Sequence, residues 1–352
     1  MQFLGELLIG FFTAYLALTN AVAENIESLF SADVTIEESA TFAKLSSAYE
    51  SIPKILIENA AYQSGNVTGA TTQATTTTDP TQALVNIFCT YTTDSYTRTT
   101  TGTGFFINPD GIILTNAHVA QFLLLETVAG NTDCIIRTGN PAEPTYKADL
   151  LYIPPAWVEK HAALIDAVNP TGTGERDYAL LYVTAGLDNK PMPRHFPALA
   201  LNTQLVPIQA IGWPVQAAGY PAEELFKAGD MQVDLIPVKV RTRIAELMAF
   251  GSNYADLMTI NGSPVGEQGS SGGPVLNSAG ETIGIISTKG DDEQFGQGSL
   301  RALTLSYVDR TITEETGFTL GSYLGANLPY RSKLFKDTLE PFLREMLEAE
   351  LN

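Results

Sequence analysis

His118, Asp177 and Ser271 have the types and the order needed for nucleophilic acyl transfer. Ser271 lies in Gly269-Ser270-Ser271-Gly272-Gly273-Pro274, where flanking glycines put a hydroxyl on a tight turn. A serine hydroxyl is almost wholly protonated near neutral pH, so it needs a base before it can attack. His118 is the best placed of the three histidines. It follows Leu114-Thr115-Asn116-Ala117, the end of an apolar strand, where a ring can face a cleft while its neighbours anchor in the core. His161, after a Trp-Val-Glu-Lys stretch, and His195, among prolines and an arginine, read as structural or solvent-facing. Asp177 stands directly before the apolar run Tyr178-Ala179-Leu180-Leu181-Tyr182-Val183, where it can hold the second nitrogen of a neutral imidazole. Taken singly, each residue also has a plain structural reading: a flexible turn, a satisfied core histidine, a turn acid at a strand start.

Chain order discriminates among the chemistries. The serine loop satisfies the loose G-x-S-x-G pattern of the α/β-hydrolase nucleophile elbow, but that fold places its histidine after the serine. Here all three histidines precede Ser271. The subtilisin order, Asp then His then Ser, is not met either. No two histidines are close in sequence and no H-E-x-x-H occurs, which removes most metal-centred hydrolases. The expected chemistry needs no metal and no organic cofactor.

The elements that must position these residues are short strands. Leu84 to Tyr91, Gly104 to Ile107, Ile112 to Thr115, Cys134 to Arg137, Tyr146 to Ile153 and Tyr178 to Val183 form one group, with Asn108-Pro109-Asp110-Gly111 as a hairpin turn. Val206 to Ile211, Ile236 to Ala245, Asp256 to Ile260, Pro274 to Leu276, Thr282 to Ser287 and Arg301 to Tyr307 form a second, with residues 217–230 as an inserted excursion. Six strands and then six more, without regular helices between them, predict an all-β fold of two antiparallel barrels, at 82–185 and 200–310.

The ends differ from this body. Leu7 to Leu18 is an apolar run followed by Ala21-Val22-Ala23, so residues 1–23 read as a cleaved export signal, an uncleaved membrane anchor or a core helix. The first two readings place the rest of the chain outside the cytoplasm, periplasmic, secreted or membrane-anchored. Residues 24–60 read as helical, with Phe42, Leu45, Tyr49 and Ile52 at spacings of three and four. Residues 61–81 form a polar, Thr-rich linker. Residues 311–352 read as a helical extension with Phe335, Leu339, Phe342 and Met346 on one stripe, Leu343 and Leu347 beside it, and Pro341 either kinking the helix or opening a second one.

Composition narrows the partners. With 20 Lys+Arg against 39 Asp+Glu the formal charge is −19, and no run supplies the clustered positive surface that nucleic acid requires. The two cysteines, Cys89 and Cys134, have no CxxC and no nearby histidine, so they suggest no zinc site. They are either a disulfide of an exported protein or two unrelated buried thiols.

The stretches TGTGFFINPDGIILTNAHV, DYALLYV and EQGSSGGPVLNSAGETIGIIST resemble the histidine, aspartate and serine regions of trypsin-like serine peptidases, especially the bacterial high-temperature-requirement group. The similarity spans roughly residues 83–310. It implies two perpendicular six-stranded barrels with the active site between them, and an endopeptidase acting on peptides or unfolded proteins. It also implies an oxyanion hole from the backbone N–H groups of Gly269 and Ser271, with Gly272 and Gly273 letting the chain pass close behind the nucleophile. Ser287, Thr288 and Lys289 become the edge on which an extended substrate pairs, with Gln268 and Val265 beside the side-chain pocket. Two residues depart from trypsin itself. Ser270 stands where an aspartate pairs with a newly released N-terminus, and Val265 replaces the acid that selects Lys or Arg, so the expected preference is apolar or small. The stretch after Tyr307 is too short for the peptide-binding domain that often follows in the high-temperature-requirement group. In the family barrel Cys89 and Cys134 fall on neighbouring strands, which makes a disulfide feasible if both side chains point the same way.

Overall fold

The structure, a computed structural model, describes residues 76–92, 97–126, 132–165, 173–223, 234–325 and 327–351. The expected leader, the helical segment at 24–60 and most of the Thr-rich tract lie outside the described residues. The first barrel closes β1 (Leu84–Thr92), β2 (Thr97–Asn108), β3 (Ile112–Thr115), β4 (Thr132–Thr138), β5 (Glu143–Tyr152) and β6 (Ala179–Gly186) in the order β1-β2-β3-β6-β5-β4. The second closes β7 (Pro214–Gly219), β8 (Val238–Met248), β9 (Leu257–Ile260), β10 (Pro274–Leu276), β11 (Thr282–Lys289) and β12 (Leu300–Thr304) in the equivalent order, β7-β8-β9-β12-β11-β10. The expected two-barrel, all-β architecture is borne out, and each barrel buries its apolar residues inside a sheet without free edges.

Local chemistry accounts for the hairpin that leads to the histidine. Asn108 takes the Asp110 N–H on its side chain at 2.6 Å and the Gly111 N–H on its carbonyl at 3.1 Å. Gly111 turns with φ of 93°, a conformation that a Cβ disfavours. The chain therefore reverses at once, and β3 runs back through the barrel with all four residues buried. Cys89 on β1 is directly opposite Cys134 on β4, and the two are joined as a disulfide.

Several boundaries differ from the sequence expectation. Val206 to Ile211 is not a strand: Pro207 has no N–H to give a ladder, and a single helical turn, Ile208–Ala210, follows it. Gly212, at φ of 88°, then redirects the chain into β7, whose Ala217 and Ala218 carry a weaker apolar signal than the preceding loop and fall in the excursion expected at 217–230. Strand β12 stops at Thr304, whose hydroxyl accepts the Tyr307 N–H at 3.2 Å and caps helix α1 (Leu305–Thr316). A domain limit at residue 310 therefore cuts a continuous helix. At the other end, residues 76–81 are no free linker. Thr76 and Thr77 pair with Ala198 and Leu199, and Asp79 binds Lys239 of β8 at 2.9 Å.

Helices α2 (Leu320–Leu324), α3 (Leu328–Thr338) and α4 (Glu340–Leu351) follow, so Pro341 lies in the opening turn of a second helix. The buried stripe is Phe335, Leu339, Leu343 and Leu347, while Phe342 is exposed, contrary to the expected stripe. The buried residues keep a spacing of four through residue 339, and Phe342 lies off that row. Helix α3 packs on β5 of the first barrel.

Candidate active site

The first barrel carries His118 and Asp177 on two adjacent strand ends. Strand β3 ends at Thr115, and a helical turn, Ala117–Ala120, holds His118 just beyond it. The neighbouring strand β6 starts two residues after Asp177. Asp177 Oδ2 accepts from His118 Nδ1 at 2.8 Å and from Ser287 Oγ at 2.7 Å, while Oδ1 accepts the His118 backbone N–H at 3.0 Å. Asn116 Nδ2 donates to the Asp177 carbonyl at 2.7 Å and fixes the backbone beneath the carboxylate. With Nδ1 as donor, the free lone pair of the imidazole is on Nε2.

The electrostatics agree with that assignment. Burial alone would lower the pKa of His118, but the charge of Asp177 and its hydrogen bond outweigh it and raise the value above the ordinary 6.5. Burial would raise Asp177, yet the His118 charge and the hydrogen bonds from His118 and Ser287 hold it below the ordinary 3.8. Arg176 precedes it at a left-handed φ of 56°, held by its N–H to Tyr307 Oη at 3.1 Å and by an ion pair with Glu315 of α1. Helix α1 thus buttresses the loop that carries Asp177.

The second barrel supplies the serine from a loop whose carbonyls all turn inward. Gln268 O is held by Ala222 N at 2.7 Å, Gly269 O by Thr103 Oγ1 at 2.7 Å, Ser270 O by Gly273 N at 3.0 Å and Ser271 O by Thr103 N at 2.8 Å. A trans peptide points its N–H opposite to its carbonyl, so the N–H groups of Gly269 and Ser271 face away from those donors. Gly269, at φ of 95°, has no room for a side chain: a Cβ there would lie 2.7 Å from Ala222 Cβ. At Gly272 a Cβ would lie 1.9 Å from Thr103 O. The glycines expected behind the nucleophile are needed because the backbones touch.

Ser287 joins the two halves: its hydroxyl binds Asp177, and its carbonyl accepts from Ser271 Oγ at 3.4 Å. Among the described residues no hydrogen bond joins Ser271 to the His118 ring. The Ser287 side chain is buried against the Asp177 carboxylate. Thr288 and Lys289 pair with Arg301 and Leu300 of β12, whereas β10 pairs with β11 only up to Ile285. Lys289 is exposed and paired with Asp292 at 2.9 Å. Gln268 is exposed on the rim.

Val265 corrects the expected pocket. It is wholly buried and packs in the second barrel's core with Val275, Ile286 and Leu300 rather than forming the base of an open slot. The adjoining backbones close on each other: Ser263 N donates to Gly298 O at 3.0 Å, and a Cβ on Gly266 would lie 2.0 Å from that same oxygen. Ser270 is fully buried against Gly219. Sequence reasoning missed Thr103, Asn116, Arg176 and Glu315. A threonine in a strand and an ion pair across the fold carry no local signature.

The family model for the trypsin-like peptidase domain matches residues 102–285. Among solved structures, the active form of the Rv3671c protease from M. tuberculosis is 21% identical, with 67% of this chain and 82% of that one covered and a TM-score of 0.41. Deg5 is 17% identical, with 68% and 92% covered and a TM-score of 0.44. No curated protein matches the chain.

Proposed function

The chain belongs to the trypsin-like peptidase domain family, and on that premise we propose that it is a serine endopeptidase acting through Ser271, His118 and Asp177. The observation that carries this reading is the Asp177 carboxylate, which receives the His118 ring at 2.8 Å and the Ser287 hydroxyl at 2.7 Å while the Ser287 carbonyl contacts Ser271. Ser271 Oγ leaves Ser287 O, passes its proton to His118 Nε2 and attacks the peptide carbonyl. The N–H groups of Gly269 and Ser271 receive the negative charge on the former carbonyl oxygen, a contribution of about 3 kcal/mol for each donor in such sites. His118 then gives the proton to the leaving amine, and water repeats the sequence on the acyl-enzyme.

The edge at Thr288 and Lys289, which among the described strands pairs only with β12, suits an extended chain that pairs by its backbone, so peptides and unfolded segments are the proposed substrates. Burial of Val265 and the contact between the Gly266 and Gly298 segments favour a small or apolar residue on the acyl side of the scissile bond. The disulfide supports an oxidising compartment, in line with an exported protein. A fluorophosphonate should label the full chain at Ser271 and fail to label Ser271→Ala, which should also lose peptide turnover. Turnover that survives in Ser271→Ala, or an unlabelled wild type, overturns the assignment. A cleavage profile dominated by Lys or Arg overturns the pocket reading alone.

A further inference from the structure

Thr103 lies on β2 of the first barrel and is fully buried, yet its polar atoms serve the other barrel's loop. Its N–H donates to Ser271 O at 2.8 Å, its hydroxyl donates to Gly269 O at 2.7 Å, and the same hydroxyl accepts the Tyr220 N–H at 2.9 Å. Its carbonyl accepts from Thr115 Oγ1, also at 2.7 Å, at the end of the strand that leads to His118. A hydroxyl has one proton; with Tyr220 N–H on its lone pair, that proton goes to Gly269 O.

We propose that Thr103 is a positioning residue for the oxyanion-binding loop, acting from the first barrel on the backbone of the second; this rests on the peptidase reading above. The 268–269 peptide carries the Gly269 N–H, and two segments orient it. Ala222 N holds its carbonyl from one side, and the 269–270 peptide limits its rotation from the other. The Thr103 hydroxyl joins those segments, because it holds Tyr220 N, two residues before Ala222, and Gly269 O together. Gly269 has no side chain to resist a peptide flip, and a flip would place a carbonyl oxygen where the tetrahedral oxyanion needs a donor. The hydroxyl therefore acts on the transition state and only weakly on substrate binding.

The test compares Thr103→Val, which keeps the β-branched shape without the hydroxyl, with Thr103→Ser, which keeps the hydroxyl. Thr103→Val is expected to lower kcat by about tenfold or more with KM within about twofold, and Thr103→Ser to stay within about threefold of wild type. Thr103→Val should also weaken a peptide aldehyde, which adds the Ser271 O–H across its carbonyl to give a hemiacetal, more than an uncleaved peptide of the same sequence. The inference is overturned by an unchanged kcat in Thr103→Val, by a loss confined to KM, or by Thr103→Ser falling as far as Thr103→Val. If Thr103→Val does not fold, Thr103→Cys, a poorer donor of similar size, must fall between Thr103→Ser and inactivity, and wild-type kcat in it overturns the inference. Activity that survives Ser271→Ala would instead sink the peptidase reading, so the two failures are distinguishable.

Discussion

The two barrels share one strand order but contribute to the site in different ways. The first barrel offers side chains: the His118 ring and the Asp177 carboxylate, brought together at adjacent strand ends. The second offers, apart from the Ser271 hydroxyl, mostly backbone: inward carbonyls, outward N–H groups and glycines where a Cβ has no space. Their supports differ in the same sense. The Asp177 loop of the first barrel is buttressed by α1 through Glu315 and Tyr307, whereas the serine loop of the second is held across the cleft by Thr103. A side chain can be aimed by its own rotamer and neighbours, but a backbone donor can only be aimed by what holds the adjacent peptide planes. Each barrel therefore depends on the other: Thr103 holds the serine loop, and Ser287 holds the Asp177 carboxylate.

The largest effect should come from the first barrel's side chains. Asp177→Asn is expected to lower kcat by about 10⁴-fold through loss of the required tautomer, with the fold retained. Its remaining activity should show an acid limb at lower pH than wild type, because the charge that raises His118 is gone. On the proposed mechanism His118 acts only when neutral, so wild-type kcat/KM is expected to rise with pH through a midpoint above the ordinary imidazole 6.5. The stability contributed by the pair behaves oppositely. The raised His118 contributes below its unfolded value and loses that as pH rises through its folded value, while the lowered Asp177 contributes above its own unfolded value. The pair should therefore stabilise most between roughly pH 4 and 6.5, a window that Tm measured against pH in wild type and Asp177→Asn will reveal.

A backbone change in the second barrel should act next. Gly272→Ala meets both a φ of 89° and the Thr103 oxygen, so a stability loss of about 3 kcal/mol or more is expected in urea unfolding, together with lost activity. A tolerated alanine there would break the contrast drawn between the barrels. The smallest effect on chemistry belongs to the disulfide, which links strands 45 residues apart. Replacing both Cys89 and Cys134 by Ala should cost about 2–4 kcal/mol of stability. The kcat of the folded protein should change by less than about threefold, since the disulfide joins β1 and β4 whereas His118 and Asp177 lie at the ends of β3 and β6. A larger fall in kcat would mean that the first barrel transmits strain to the site.

Most barrel strands were legible because short apolar runs and turn residues are local signals, and eleven of the twelve expected strands overlap observed ones. The misread regions have local causes too. Val206 to Ile211 was apolar enough to mimic a strand, whereas the true strand β7 is built around Ala217 and Ala218, small because other backbones pass close by. The order of His118, Asp177 and Ser271 is read directly from the chain, since it is written in residue type.

What the sequence by itself determined is the inventory: a serine among glycines, a histidine at a strand end, an acid at a strand start, and two sets of strands. Only the tertiary structure decided that Ser287 turns its hydroxyl to Asp177, that Val265 belongs to a core rather than a pocket, and that Thr103 reaches the serine loop. Thr103 and Gly269 are 166 positions apart, and Ser287 and Asp177 are 110 apart. No periodicity spans such distances. These contacts exist because two closed barrels meet at one cleft, where a residue's partner is set by the packing of whole sheets and not by its neighbours in the chain.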